Sequence, residues 1–229
     1  MKKIVPRFII MRIKEKKITD NLPAVILDLQ YLPSVPYFLI LNMSDRILFD
    51  IHEHFIKQTY RNRCRILTAN GVEDLVIPVK KPHQHKPVAE IKIDHSQKWA
   101  IRHWRAIQSA YGKSPWFFHY ADEFRKIILG RYESLYELNY TLINLCLKIM
   151  GSKVQPGFID RYEKEWEENY TDFRSVIHPK RDAGSLPFFQ PVPYVQNFGL
   201  KFADSLSIID LIFSEGPRTL EVISLSKRF

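Results

Sequence analysis

Apolar positions in the middle of the chain recur with the period of amphipathic helices and predict successive helices there. The first follows Ser96 as its N-cap and reaches Tyr111, with one apolar face toward a core. The second opens with Ser114 as N-cap and Pro115 at the first helical position, where proline is tolerated. Gly130 ends it.

Two further helices are predicted toward the C-terminus. Ser134 and Glu137 have the spacing of a capping box. The apolar stripe of this helix begins at Leu135, and Gly151 ends the helix. Residues 205–215 form the last long helical pattern, and Gly216 ends it before one or two more turns. The C-terminal half is therefore predicted to be mainly helical.

The first part of the chain has the patterns of strands. Residues 25–29 and 47–49 are short, continuous apolar runs, typical of buried strands, and residues 88–93 alternate as a further strand. Pro33 and Pro36 indicate that no regular structure lies between them, because proline lacks an N–H donor.

A β-hairpin is the sharpest local prediction. Residues 63–68 and 75–79 are apolar-rich runs on either side of Asn70 and Gly71. Asn-Gly favours a tight hairpin turn because both residues tolerate positive φ.

Together these elements predict an α+β fold, with a mixed or antiparallel β-rich N-terminal half that carries the hairpin and a helical C-terminal half. Residues 1–22 are expected to be a basic extension. Residues 23–229 are expected to be a single domain, mainly strands over 23–95 and mainly helices over 96–229.

The first arm of the hairpin carries an unusual charge pattern. Arg61, Arg63 and Arg65 alternate and would share one strand face, with Lys80 and Lys81 after the second arm. Such a face suits an anionic ligand, because guanidinium groups bind phosphate and carboxylate strongly. A solvated edge strand that uses charge to avoid aggregation explains the same pattern, and both interpretations stay open here.

Composition narrows the classes of partner. The net charge is +9, and residues 1–17 supply +6 of it, which leaves an ordinary balance for the rest of the chain. No nucleic-acid-binding motif is present, so a specific nucleic-acid partner is not expected. Neither a P-loop nor a GxGxxG motif occurs, and no cofactor is predicted. Two cysteines, no signal-peptide pattern and no apolar run of about 20 residues favour the cytoplasm and no membrane span.

Polar residues interrupt three apolar stripes, at His103, Asn139 and Asp210. A buried polar group needs a partner or a cleft, since an unpaired one costs about 1–3 kcal/mol. We therefore consider His103 as a general base oriented by Asp210 or Asp94, which are the candidate catalytic residues. A hydrogen-bonded core histidine and a helix-end aspartate are the alternative.

Other chemistry is weakly indicated. Ser207 lies on the same helix side as Asp210 but lacks a nucleophile-elbow motif, so capping is the simpler interpretation. Cys64 has arginine neighbours that could lower its pKa. Two His-x-His pairs, at residues 52–54 and 83–85, have a metal-ligand spacing but no HExxH or CxxC anchor, and no metal site is predicted.

Several short motifs in one order resemble the WbqC-like family over residues 27–223. They begin with Leu29-Gln30-Tyr31-Leu32-Pro33, Tyr37-Phe38 and Asn62-Arg63. They continue through residues 76–81 and 91–94, Trp99, His103, Tyr111, Tyr194, Gln196, Phe198 and residues 206–210. The resemblance implies a role linked to bacterial O-antigen and surface-polysaccharide gene clusters.

Resemblance and hairpin charge together give the substrate-binding candidates, which are Gln30, Tyr37, Asn62, Arg63, Lys80, Trp99, Tyr111, Gln196 and Ser207. The function expected is a cytoplasmic transferase that moves an acyl or aminoacyl group in a reaction of an activated sugar. Its partners would be that sugar or another anionic small molecule, with an acyl donor or a carrier protein. A non-catalytic scaffold of a polysaccharide-assembly complex is the alternative.

Overall fold

The computed structural model describes residues 23–80, 86–163 and 169–228. The basic extension of residues 1–22, Lys81 and the histidine pair at residues 83–85 lie outside the described residues. The strands are β1 (Ala24–Asp28), β2 (Ile47–Asp50), β3 (Arg63–Thr68), β4 (Gly71–Val76), β5 (Gly157–Phe158) and β6 (Tyr170–Asp172). The helices are α1 (Val35–Leu41), α2 (Trp99–Tyr111), α3 (Phe117–Ile128), α4 (Leu135–Ile149), α5 (Ile208–Glu215) and α6 (Thr219–Leu225).

Four strands form a parallel sheet in the order β5-β2-β1-β6. All five residues of the central strand β1 are buried, as is typical of parallel sheets covered on both faces. The predicted combination of strands and helices is confirmed at that coarse level. The predicted division into halves is only approximate, because β5 and β6 come from the second half. Strands of two or three residues have no periodicity that a sequence could show.

The hairpin is confirmed as an antiparallel pair of β3 and β4. Gly71 has φ of 102°, a conformation that glycine adopts without a steric penalty. The second arm begins earlier than predicted, at Gly71, and ends at Val76. Val79 instead forms an isolated bridge with Ile93.

Two local predictions around proline and alternation are wrong. Helix α1 begins at Val35 and holds Pro36 in its first turn, where the missing N–H has no intrahelical partner to lose. Val88–Glu90 is a short 3-10 helix rather than a strand, and only isolated bridges follow it. Helix α1 thus begins between the two prolines, where the sequence predicted no regular structure.

The predicted helices in the middle of the chain are confirmed, with shifted starts. Helix α2 begins at Trp99 and not directly after Ser96, whose amide donates to Asp94 Oδ1 at 2.9 Å. Helix α3 begins at Phe117, two residues after Pro115. Ser134 does precede α4, but its side chain makes no capping hydrogen bond, so the predicted capping box does not form.

Helices and sheet share one continuous hydrophobic core, in which Phe38, Phe49, Trp99, Leu142 and Phe213 are buried together. Within the described part of the chain, no helix has both the length and the apolar character that crossing a membrane requires.

A glycine at the end of α5 gives a test of this packing. Gly216 has φ of 55°, and a Cβ there would overlap the ring of Trp116. Gly151 has a similar φ of 67° with open space around it. We expect Gly151→Ala to lose about 1–2 kcal/mol from backbone strain. Gly216→Ala should lose at least about 1 kcal/mol more from overpacking. Urea denaturation measures both, and equal losses would contradict the Trp116 contact.

Candidate functional site

Three carboxylates lie at the carboxyl ends of adjacent parallel strands. Asp28 ends β1 and is in register with Asp50 at the end of β2, while Asp172 ends β6 on the other side of β1. Asp28 and Asp50 are almost completely buried. Burying two carboxylates beside a third that is partly exposed requires cations nearby, because an isolated buried charge is strongly unfavourable.

Arg61 supplies the first cation and is itself only 1% exposed. Its Nε and Nη2 donate to the two carboxylate oxygens of Glu53, each at 2.7 Å, a bidentate pair. Its Nη1 lies 3.4 Å from Asp28 Oδ2, and its Nη2 also donates to Ser175 Oγ at 3.0 Å. Asn139 Nδ2 donates to the Arg61 carbonyl oxygen, while the buried Asn139 Oδ1 has no hydrogen-bond partner among the described residues.

Arg174 supplies the second cation. Its guanidinium forms a bidentate pair with Asp172 and reaches across to Asp50. The next residue, Ser175, has φ of 58° and donates its amide to Asp28 Oδ1 at 2.8 Å. The two arginines and Ser175 therefore join the ends of β1, β2 and β6 in one charged network.

Protonation states follow from burial and pairing. Burial raises the pKa of Glu53 to about 7, against the opposing pull of Arg61. Burial lowers the pKa of Arg61, but Asp28 and Glu53 raise it above its usual value. The Arg61 guanidinium keeps its charge at neutral pH, and its two hydrogen bonds favour the ionised form of Glu53 in opposition to burial.

A small pocket lies beside this network, between the loops that follow β1 and β6, and it encloses about 10 Å³, which is room for about one water molecule. Its walls carry the hydroxyls of Ser34, Tyr60 and Ser205 and the charged side chains of Arg181 and Asp182. Within the described residues, the Ser34 and Tyr60 hydroxyls form no hydrogen bond. The strand order reverses at β1, and ligands of open α/β sheets bind at such reversals.

His178 forms another part of the pocket wall and is half-buried. Its Nδ1 accepts a hydrogen bond from the Lys180 amide at 3.1 Å, which leaves the proton on Nε2 in the neutral ring. Burial, followed by the charges of Arg181 and Lys180, lowers the pKa of His178. A neutral ring with a free Nε2–H is thus a hydrogen-bond donor for a bound molecule.

The loop that carries Arg181 and Asp182 is held by a local hydrogen bond and by buried apolar side chains. Asp182 Oδ1 accepts from the Gly184 amide and caps a short 3-10 helix, Ala183–Ser185. Ala183 and Leu186 are buried in the core.

Two predicted substrate-binding residues, Gln30 and Tyr37, lie behind the pocket. Gln30 Nε2 donates to Asp28 Oδ2 and to the carbonyl of Ile177, a pocket-wall residue. Its Oε1 is buried without a hydrogen-bond partner among the described residues. The Tyr37 hydroxyl donates to the Asp28 carbonyl at 2.8 Å. Gln30 is fully buried and does not line the pocket, so it supports the pocket wall from behind.

The arginines of the hairpin do not form the predicted anionic-ligand face. Arg61 precedes β3 and is buried in the network, while Arg63 and Arg65 both pair with Asp74 on β4. Asn62 Nδ2 donates to the Ile77 carbonyl. Arg63 and Arg65 thus fit the alternative interpretation, in which a solvated edge strand carries charge to avoid aggregation.

His103 is hydrogen-bonded through both ring nitrogens. Its Nδ1 lies 3.1 Å from the Tyr31 hydroxyl, and its Nε2 lies 3.2 Å from the Val76 carbonyl. Burial lowers the pKa of His103 to about 4, so the ring is neutral at pH 7. The predicted pairing with Asp94 or Asp210 is absent from these contacts, and a role for His103 as a base stays a prediction.

Three other candidate residues, Trp99, Lys80 and Asp94, have neighbours that differ from one another. Trp99 is buried and its ring packs edge-on against His103 at 5.1 Å. The pKa of Asp94 is lowered mainly by hydrogen bonds from Ser96 and to a smaller extent by the charge of Lys80, which is exposed. Asp94 accordingly stabilises a turn before α2.

Asp210 instead joins two motifs that are distant in sequence. It accepts hydrogen bonds from the Tyr194 hydroxyl at 2.6 Å and from Gln196 Nε2 at 3.0 Å, and the Tyr111 hydroxyl faces the same carboxyl. Burial raises the pKa of Asp210, and these donors oppose the rise. This cluster holds the 194–198 segment against α5.

The two candidate nucleophiles have structural environments. Ser207 is the N-cap of α5, and its hydroxyl accepts from the Ile209 amide at 3.5 Å, as the capping interpretation predicts. Cys64 is buried, and burial raises its pKa well above the usual value, which disfavours the thiolate.

Sequence reasoning missed Ser34, Tyr60, His178 and Arg181 in the pocket, and it missed the network of carboxylates. A signal for the network existed, since Asp28 and Asp50 directly follow buried apolar strands. Among the residues that the structure describes, no group of three or more histidine, cysteine or acidic side chains is arranged to hold a metal.

Removing Arg61 tests the network. Arg61→Leu leaves Glu53 and Asp28 buried without their cation, and we expect a loss of about 3–5 kcal/mol in the free energy of unfolding. The matched variant Arg63→Leu breaks an exposed pair and should cost about 1 kcal/mol or less. Denaturant unfolding of both variants is the measurement, and similar losses would contradict a role for buried charge.

The pH dependence of stability tests the state of His103. In the unfolded chain its pKa is near 6.5, whereas in the folded protein it is about 4. As the pH falls from 7 to 5, His103 is therefore protonated in the unfolded chain before it is protonated in the folded protein. This difference lowers the free energy of unfolding by about 2 kcal/mol.

His103→Gln is the comparison, because other titrating groups act equally in both proteins. The difference in unfolding free energy between wild type and variant should narrow as the pH falls from 7 to 5. A constant difference would show that His103 is not held neutral.

Comparison with known proteins supplies the family. A sequence profile of the WbqC-like protein family matches residues 30–177. The uncharacterized protein Rv1507c of Mycobacterium tuberculosis is 31% identical over 123 residues, which are 53% of this chain and 53% of that protein. The chain thus spans about half the length of this curated relative, and no solved structure matches it. The matched region contains Glu53, Arg61 and Arg174 of the charged network, while Asp28 and most of the pocket wall lie outside it. The match covers more than half of the chain, and the chain belongs to the WbqC-like protein family.

Proposed function

We propose that an activated sugar binds across the mouth of the pocket beside the charged network. The enclosed volume of about 10 Å³ holds about one water molecule, so the sugar would lie over the opening and not inside it. The observation that carries this proposal is the set of unpaired polar groups on one wall, where the Ser34 and Tyr60 hydroxyls lie near Arg181 and Asp182. A sugar presents closely spaced hydroxyls, which pair with hydroxyl and carboxylate groups. Its nucleotide or phosphate portion pairs with a guanidinium.

The proposed reaction is transfer of an acyl or aminoacyl group to the bound sugar. Cys64 is buried with a raised pKa, and Ser207 caps a helix, so neither supports a covalent intermediate on the protein. The attacking group is then a hydroxyl or amine of the sugar itself. Its bond to the acyl carbon forms as the thioester or ester bond of the donor breaks, and its proton passes to the departing thiol or alcohol. The His178 Nε2–H is suited to hold the attacking group in position.

The proposed setting is the assembly of a bacterial surface polysaccharide such as O-antigen, in the cytoplasm. Support comes from the association of WbqC-like proteins with such gene clusters and from the chemistry of the pocket. A biosynthetic setting favours transfer over hydrolysis.

A thermal-shift panel of nucleotide sugars tests binding. A ligand at about 100 times its Kd adds about 2.7 kcal/mol, which raises the melting temperature by about 5 to 10 °C for a chain of this size. Arg181→Gln should abolish the rise because it removes the phosphate partner. Arg131→Gln, which removes an exposed charge outside the pocket, should keep it.

Transfer needs a separate readout. The sugar that binds is incubated with coenzyme A thioesters or aminoacyl donors, and the sugar is examined by mass spectrometry for the added group. Binding without any product would leave the pocket assignment standing and contradict the transferase assignment. An equal thermal shift in wild type and Arg181→Gln would contradict the pocket assignment itself.

A further inference from the structure

A second surface feature lies between helices α2 and α3, apart from the ligand pocket. Trp104 and Phe117 form its floor with their rings stacked at 6.1 Å, together with Ala121. Ile101, Phe118 and Leu129 line its sides. Phe118 is 91% exposed, an unusual state for a large aromatic side chain.

The apolar side chains on the sides of this groove are not required by the core. The buried stripe of α2 runs through His103, Trp104, Ile107 and Tyr111, and Ile101 lies outside it. Phe118 lies likewise outside the buried face of α3. Contiguous exposed apolar side chains in a concave site are typical of a docking surface.

Charge indicates what the groove accepts. Arg105 and Arg125 line it, and neither forms an ion pair or a side-chain hydrogen bond with any described residue. Asp122 also lines it, so two cations face one anion. A complementary ligand offers apolar side chains flanked by carboxylates.

The same charges disfavour two occupants from the chain itself. The extension at residues 1–17 carries +6, and a second copy of the chain carries +9. Both would bring further positive charge to unpaired arginines. An anionic membrane is less suitable than a helix, since the site is concave and includes Asp122.

We propose that this groove docks an acidic amphipathic helix of a partner protein. Apolar side chains at i, i+4 and i+7 of that helix would contact Ile101, Phe118 and Leu129, and its flanking carboxylates would pair with Arg105 and Arg125. The proposal is independent of the sugar pocket, because the two sites share no residue.

Fluorescence anisotropy with a labelled model peptide tests the proposal on the full chain. The probe is a helical peptide with leucines at i, i+4 and i+7 and glutamates beside them, and its matched partner carries lysines in place of the glutamates. The acidic peptide should bind at least about tenfold more tightly than the basic one. Phe118→Ser should weaken its binding at least about tenfold, whereas Leu200→Ser, which alters an exposed leucine outside the groove, should not.

Charge reversal adds a gain of function that misfolding cannot imitate. The double variant Arg105→Glu, Arg125→Glu should lose the acidic peptide and bind the basic one. Equal binding of both peptides to wild type, or no binding at about 1 mM peptide, would overturn the proposal.

Two other outcomes would also overturn it, by assigning the groove to a different occupant. One is tighter binding to vesicles of phosphatidylcholine and phosphatidylglycerol than to the acidic peptide, lost in Phe118→Ser. The other is self-association in light scattering that Phe118→Ser abolishes.

Discussion

The buried Arg61 guanidinium is the interaction on which the rest of the site depends. It neutralises Glu53 and Asp28 at a point where adjacent parallel strands end, with almost no solvent to screen the charges. An ion pair so deeply buried adds little net stability compared with an apolar substitute, but loss of one partner is costly. Such a network therefore fixes one arrangement of the surrounding loops, because few other arrangements keep every charge paired.

That constraint reaches the pocket through short connections. Arg61 binds the Ser175 hydroxyl, Asp28 binds the Ser175 amide, and Gln30 binds the Ile177 carbonyl. The loop after β6 is thereby tied to the end of β1, and His178 and Arg181 on that loop take fixed positions facing Ser34 and Tyr60. Pre-organised polar groups of this kind lower the entropic cost of holding a small ligand.

Elements with a strong local pattern could be predicted from the sequence. The hairpin followed from Asn70-Gly71, and α2, α3 and α4 followed from their apolar stripes. The parallel pairing of β1 with β6 could not be predicted, since β6 has three residues and lies more than 140 positions away. The contact between Arg61 and Ser175 could not be predicted for the same reason, because the two residues are 114 positions apart in the sequence. Resemblance to relatives singled out Tyr194, Gln196 and Asp210, and only the structure shows that they bind one another.

A crystal structure of the protein with a bound nucleotide sugar tests the central claim most directly. The sugar should lie over Ser34, Tyr60 and Asp182, with a phosphate group at Arg181 and the Arg61 network unchanged behind it. A ligand bound instead at Arg63 and Arg65 of the hairpin would contradict the account and restore the hairpin as the anionic-ligand site.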